Sequence, residues 1–147
     1  KIARYNPSDV YNMDETGLFY CCAPNYTISR DRVEQLKADK KRITIDFAAN
    51  AVGSYKLDPF FIGHAKKPRC FGKESGAELG YVYYSNKKAW MTGVLFQEWL
   101  MGTDNLMKLA NRKVLMLLDN ASSHIVDDMV LAHVEALFLP PSTTSIV

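Results

Sequence analysis

Five consecutive apolar residues, Val114-Leu115-Met116-Leu117-Leu118, halt abruptly at Asp119-Asn120-Ala121-Ser122-Ser123-His124, and they leave few folds open. A run of strand length with no polar side to offer water reads as a strand buried on both faces, in the middle of a parallel or mixed sheet. A second stretch has the same plan: Val10-Tyr11-Asn12-Met13 runs into Asp14-Glu15-Thr16-Gly17. In open α/β sheets, ligands sit in the crevice beyond the carboxyl ends of the strands. Two such strands side by side would present Asp14 and Asp119 at one edge. Carboxylates that close repel unless one takes a proton or a cation lies between them. Oxygen ligands of this kind suit Mg²⁺ or Mn²⁺, which complete their shells with water and substrate phosphate. Read singly, each aspartate is equally an ordinary strand-end or turn residue.

Around these two stretches the pattern alternates strands, a hairpin and helices. Residues 8–14 read as the first strand, and Gly17 to Cys22 leads toward a second. Residues 23–41 are polar and irregular, with a short helical turn at Arg32–Ala38. Residues 42–49 alternate cleanly, placing Ile43, Ile45 and Phe47 on an apolar face and Asp46 on the polar one. Ala51-Val52-Gly53-Ser54 supplies a turn, and Tyr55 to Ile62 returns as the hairpin partner. Asp58-Pro59 within that return calls for an edge position or a bulge, because proline cannot donate to the ladder. A loop over 63–80 leads to a short strand at Tyr81-Val82-Tyr83-Tyr84. Thr92 caps a helix with Leu95, Phe96, Trp99 and Leu100 on one face, ended by Gly102, and Leu106 to Ala110 continues as helix or turn. After the buried strand at 113–119 comes a helix from about Ser122 to Val134. Its stripe is Ile125, Met129 and Ala132, with Asp127 and Asp128 suiting the dipole of the first turns. Ala136-Leu137-Phe138-Leu139 is a last strand ended by Pro140-Pro141.

At 147 residues the chain is one domain with length for a real core. Hydrophobic residues at 48% and charged ones at 23% exclude an intrinsically disordered chain. A formal charge of +2 does not by itself mark a nucleic-acid binder. The basic residues are clustered, however: Lys37, Lys40, Lys41 and Arg42; then Lys66, Lys67 and Arg69; then Lys87 and Lys88. Each cluster is either a solvated loop or a phosphate contact. Cys21, Cys22 and Cys70 are odd in number and lack metal spacing, so reduced thiols are expected, with the vicinal pair packed as small apolar side chains. No window is long and apolar enough for a transmembrane helix, and no signal-peptide pattern opens the chain. The missing initiator Met and the ending in Ser145-Ile146-Val147 are what a piece of a longer protein would show.

The wording around the two aspartates goes further. Asn-Met-Asp-Glu-Thr-Gly at 12–17 and Leu-Leu-Asp-Asn-Ala-Ser-Ser-His at 117–124 resemble the first two acidic motifs of the pogo/Tigger branch of the mariner-like DDE transposases. That family includes domesticated relatives typified by the jerky proteins and centromere protein B. The resemblance continues in order through Lys56-Leu57-Asp58-Pro59, Ile62-Gly63, Lys66-Lys67-Pro68-Arg69-Cys70-Phe71, Asn86-Lys87-Lys88-Ala89-Trp90-Met91-Thr92 and 138–145. It therefore covers nearly the whole chain.

The resemblance implies an α/β, ribonuclease H-like mixed sheet with flanking helices, the catalytic core occupying 1–147 and incomplete at its C-terminus. It implies metal-dependent cleavage of a DNA phosphodiester by water and joining of the freed 3′-hydroxyl to target DNA, with two Mg²⁺ or Mn²⁺ ions in the complete site. Asp14 and Asp119 match the first two catalytic, metal-binding acids; the third is expected beyond Val147. Asn120 and His124 match the second motif as supporting residues, His124 at the start of a helix. Lys66, Lys67, Arg69, Lys87, Lys88 and Trp90 are the expected DNA contacts, Trp90 stacking on an unpaired base unless it is simply core. Glu15 points to the face opposite Asp14 and is expected to shape the turn; Asp127 and Asp128 are solvated, and His64 and His133 structural. The DNA-reading helix-turn-helix region of the family lies outside this chain, as would any homodimer contact, and DNA substrates imply the nucleus and no membrane. The alternative is a domesticated, inactive DNA-binding or scaffold protein. An aspartyl-phosphate phosphatase fits poorly, since Thr16 stands where a second Asp is needed, and a receiver domain is broken by the hairpin at 42–62.

Overall fold

The computed structural model describes residues 1–21 and 41–140. Six strands and one helix make the framework: β1 (Val10–Leu18), β2 (Ile43–Asn50), β3 (Phe60–Gly63), β4 (Val82–Ser85), α1 (Gly93–Leu109), β5 (Val114–Leu118) and β6 (Val134–Phe138). The sheet order is β4-β3-β2-β1-β5-β6. β2 is antiparallel to β1 and to β3, whereas β3–β4, β1–β5 and β5–β6 are parallel. Five strands thus share one direction and β2 alone opposes them. An antiparallel meander, with later strands added parallel to its first strand on the other side, is the ribonuclease H-like arrangement. The 17 residues of α1 span about 25 Å, enough to carry the chain from β4 over four strand spacings of about 4.8 Å to β5.

The core follows from the apolar patterns. Val114, Leu115, Met116 and Leu118 of β5 are fully buried, as the uninterrupted run requires. From α1, Phe96, Leu100, Thr103 and Met107 form the buried stripe, and Tyr11, Met13, Val114, Met116 and Leu118 join its apolar residues in one cluster. Truncating such a residue, for example Leu100→Ala, costs about 2–5 kcal/mol. Thr92 caps α1, its hydroxyl accepting from the Leu95 N–H at 3.4 Å. At the other end Arg112 N–H reaches the Met107 carbonyl and Asn111 N–H the Lys108 carbonyl, with Asn111 left-handed at φ 50°. That pair of bonds is a Schellman stop. Gly102 does not end the helix, because the stripe runs on through Thr103 and Met107. A helical glycine costs only about 1 kcal/mol relative to alanine, less than burying Met107 returns.

Other expectations are corrected. β1 does not stop at residue 14: pairing with β2 holds it extended through Asp14, Glu15, Thr16 and Gly17 to Leu18. Residues 122–134 contain no helix. Asp128 sits at φ 65°, and Asp104 of α1 accepts the N–H groups of Ala132, His133 and Val134 at 3.1, 2.7 and 2.8 Å, bonds a helix would have sent to its own carbonyls. Among the described residues one helix therefore lies on the sheet, not several. The hairpin return is interrupted at Asp58-Pro59, between a lone Ala49–Lys56 bridge and β3, and β4 rather than β3 forms the edge. The faces of β2 are reversed from the hydrophobic reading. Thr44, Asp46, Ala48 and Asn50 are buried beside Tyr11, Met13 and Glu15, while Phe47 is 52% exposed. Thr44 donates to the Ala89 carbonyl at 2.7 Å and Asn50 bonds Ser8, Ser54 and Tyr55, so most of that buried polarity is satisfied. Cys21 is exposed, not packed, and Cys70 is exposed too. Cys22, Lys37, Lys40 and the turn at 32–38 lie outside the described residues. Among those described, no helix is long and apolar enough to cross a membrane.

Candidate functional site

Because five strands run one way, their carboxyl ends gather at one end of the sheet. Asp14 stands on the far half of β1, Lys66 to Arg69 follow β3, Lys87 to Trp90 follow β4, and Asp119 to His124 follow β5. The candidate metal-binding, supporting and DNA-contacting residues thus follow the carboxyl halves of strands at the same end.

The pairing of β1 with β5 ends at Asn12 and Leu117. Carried on by two residues, that register brings Asp14 level with Asp119. Asp14 is exposed and its Oδ1 accepts the Glu15 N–H at 2.8 Å. Asp119, the first residue past β5, has a side chain 57% exposed. Its Oδ1 accepts the Ala121 N–H at 3.0 Å and lies 2.7 Å from His124 Nδ1. Asn120 donates to the Leu139 carbonyl and Leu139 N–H to the Leu118 carbonyl at 2.8 Å, so Asn120 ties the loop after β5 to the end of β6.

His124 lies in the loop after β5, not at a helix start, and although that loop is largely exposed only 5% of His124 is. Its ring packs on Phe96 with centroids 4.5 Å apart. Nδ1 faces Asp119, and Nε2 is 3.0 Å from Glu15 Oε1. Ionised carboxylates only accept, so an imidazole between two of them needs a proton on each nitrogen. Burial alone would lower the His124 pKa; the hydrogen bond and charge of Glu15, with Asp119 behind them, outweigh it and hold the ring above its ordinary value. Glu15 indeed faces away from Asp14, but in an unbroken strand it shapes no turn and instead holds this histidine.

Asp46 completes the cluster. It stands opposite Glu15 on β2, is 2% exposed, and neither of its oxygens has a hydrogen-bond partner. Burial, then the charge of Glu15, push its pKa up to about 8, against a smaller opposing pull from His124. At neutral pH it is therefore mostly a neutral acid. Neither Asp46 nor Glu15 is visible as a site residue in the sequence. The only available signals were, for Asp46, a charged residue on a strand whose other face is apolar and, for Glu15, a charged residue in step with Tyr11 and Met13.

The basic residues flank this centre. Lys66, Lys67 and Arg69 are exposed beside a groove of about 910 Å³ lined by Phe61, His64, Phe71, Tyr81 and Tyr83, and Lys67 Nζ donates to the Lys73 carbonyl. Lys87 and Lys88 are exposed in a turn held by Asn86, whose Oδ1 accepts the N–H groups of Lys88 and Trp90. Trp90 is 52% exposed and so is not core. The Arg42 guanidinium lies 4.7 Å from its ring centroid and Lys88 Nζ 5.7 Å. A cavity of about 190 Å³ joins Trp90 and Arg42 to Glu15, Thr44 and Ser123. His64 is exposed, and His133 and the exposed Asp127 and Asp128 stand in no such cluster. Among the described residues no group of three or more His, Cys, Asp or Glu side chains is arranged to hold a metal ion.

The profile of the DDE superfamily endonucleases matches residues 40–147. CENP-B homolog protein 2 of Schizosaccharomyces pombe is 35% identical over 99% of this chain and 30% of that protein. Tigger transposable element-derived protein 4 of Mus musculus is 33% identical over 96% of the chain and 27% of that protein. Jerky protein homolog of Homo sapiens is 34% identical over 94% and 26%. The chain thus spans under a third of the length of these relatives. A solved structure titled "Crystal structure of the Mos1 Strand Transfer Complex" is similar at a TM-score of 0.46 and 13% identity, over 84% of this chain and 31% of that one.

Proposed function

The chain belongs to the DDE superfamily endonucleases, and on that premise we propose that it is the core of a metal-dependent enzyme that cleaves and joins DNA strands. What supports this reading is that Asp14 on β1 and Asp119, the first residue past the parallel neighbour β5, come level when the β1–β5 register is carried on by two residues, at the end of the sheet where the basic loops also lie. Both supply hard oxygen donors of the kind Mg²⁺ and Mn²⁺ take, so the residues fit the ion in type and fill part of its shell. When bound there, the metal would offset phosphate charge and activate the attacking oxygen. Asp14 and Asp119 would hold it, with a third acid from beyond Val147. In Asp119, Oδ1 is committed to Ala121 and His124, which leaves Oδ2 for this task. Asn120 fixes the loop that carries Asp119. Lys66, Lys67, Arg69, Lys87 and Lys88 would meet backbone phosphates, and Trp90 would stack on an unpaired base. A nuclear location follows from a DNA substrate.

A second reading, a transposase-derived protein that binds DNA without cutting it, draws support from the mouse relative, whose name calls it transposable element-derived. A Mg²⁺- or Mn²⁺-dependent nicking assay separates the two. These 147 residues alone should not cut, because two side chains place ions loosely and an error of about an ångström costs about a hundredfold in rate. A longer segment of the same protein carrying the third acid should cut, and its Asp119→Ala form should not. A longer segment that contains the acid yet never nicks DNA would leave the non-cutting reading standing.

A further inference from the structure

Asp14 and Asp119 come from different strands, and one residue touches the hydrogen-bonding arrangement of both. The Glu15 backbone N–H donates to Asp14 Oδ1 at 2.8 Å. Its side-chain Oε1 lies 3.0 Å from His124 Nε2, and the opposite ring nitrogen lies 2.7 Å from Asp119 Oδ1. The links Asp14, Glu15, His124 and Asp119 thus form one unbroken path between the two acids. We infer that Glu15 is a positioning residue, a bracket that sets the orientation of the Asp119 carboxylate relative to Asp14 through His124. The inference rests on the metal-site reading above for its purpose, though not for its geometry.

Three observations carry it. The His124 ring is almost wholly buried against Phe96, so it has little room to tilt. The rotation that remains, a half-turn about its own axis, would exchange ring nitrogens for carbons and break both carboxylate bonds at once. Glu15 resists that half-turn because it grips the nitrogen remote from Asp119. With the ring fixed, Asp119 Oδ1 receives two donors, the Ala121 N–H and His124, and the carboxylate plane is set. The Glu15 side chain is itself mostly buried and stands opposite Asp46 in the β1–β2 register, so its own rotamer is confined. Partners of this outer kind orient ligands, and removing one typically lowers metal affinity by about 10–100-fold.

The test compares E15A, E15Q and, as a charge control on an exposed loop, E74A, first without metal. The readouts are the Asp119 carboxyl ¹³C shift and the His124 imidazole ¹H–¹⁵N correlations, with Tyr11, Met13 and Phe96 amide signals reporting the core. E15A should move the Asp119 carboxyl signal and average the imidazole signals. E15Q, which keeps an oxygen at the same reach, should largely restore both, and E74A should change neither. Should E15A not fold, E15Q against H124Q decides: retention of the Asp119 shift in E15Q with its loss in H124Q supports the bracket. Asp119 and His124 signals unmoved by E15A, or an Asp119 signal shifted alike in E15Q and H124Q, would overturn it. Mn²⁺ titration then follows line broadening around residues 14 and 119, with affinity expected to fall about tenfold or more in E15A. Wild-type protein that shows no such broadening would remove the metal reading, while the metal-free shifts still decide the role of Glu15.

Discussion

Replacing Asp46 by Asn should make the chain more stable at neutral pH, although it removes a buried acid from the middle of the polar cluster. The Asp46 carboxyl is held up to about 8 against an ordinary 3.8, first by burial and then by Glu15. Below pH 3.8 it is protonated in folded and unfolded chains alike and costs nothing. As pH rises the unfolded chain sheds this proton first, which favours unfolding, and the cost stops growing only near pH 8. From 3.8 to 7, at about 1.4 kcal/mol per pH unit, the cost at pH 7 is about 4 kcal/mol. Asn is never charged, so it escapes that cost. It brings two N–H groups, one of which has Glu15 opposite as an acceptor, and an unpaired one costs about 1–3 kcal/mol. The variant should therefore be less stable than wild type at pH 4 by about that amount and more stable at pH 7. Urea denaturation at pH 4, 5.5, 7 and 8.5 measures the difference, which should swing by about 4 kcal/mol between pH 4 and 7. A variant-minus-wild-type difference that stays constant over this range refutes the claim that Asp46 is a neutral acid in the folded chain.

Asp104→Ala should cost about 2–3 kcal/mol, since charge-assisted bonds to the N–H groups of Ala132, His133 and Val134 are removed. Burial nudges the Asp104 carboxyl upward, but those backbone bonds outweigh it and hold the carboxyl below its ordinary 3.8, so the penalty should shrink as pH falls below about 4 in acid denaturation. Changing Lys66, Lys67, Arg69, Lys87 and Lys88 together to Ala should flatten the salt dependence of DNA affinity by about 0.9 in log–log slope for each phosphate no longer neutralised, and an unchanged slope would return these residues to the solvated-loop reading. Trp90→Ala should weaken single-stranded DNA binding by about 1–3 kcal/mol with little change in thermal stability, because the ring is half exposed.

What could be read from the letters was whatever the local pattern alone decides. The five apolar residues of β5 demand burial on both faces, Thr92 offers a cap to α1, and Gly53 takes φ 68° in the hairpin turn. What could not be read depends on neighbours distant in sequence. β1 runs on past Met13 because β2 pairs with it, and no residue in 14–18 announces that. The buried face of β2 is the polar-looking one, because small and hydrogen-bonding side chains there meet partners in Ser8, Ser54 and Ala89. Residues 122–134 have a helical stripe on paper, yet Asp104 draws three of their N–H groups away. Around the candidate site, Asp14 and Asp119 could be singled out by their position after apolar runs. Glu15 and Asp46 were not, because a charged letter in a strand normally means solvent.

Asp14 and Glu15 are adjacent in sequence but face opposite sides of the sheet, with Tyr11 and Met13 on the Glu15 side. A slip of β1 by a single residue would reverse every one of these directions. It would turn Asp14 inward against Asp46, turn Glu15 out, and at the same stroke expose Tyr11 and Met13 to water. A misthreaded strand thus forfeits its oily surroundings whenever it misplaces its acids. The hydrophobic lettering of β1 therefore proofreads the chemistry: a slip that puts these two carboxylates on the wrong sides also gives up the burial of Tyr11 and Met13.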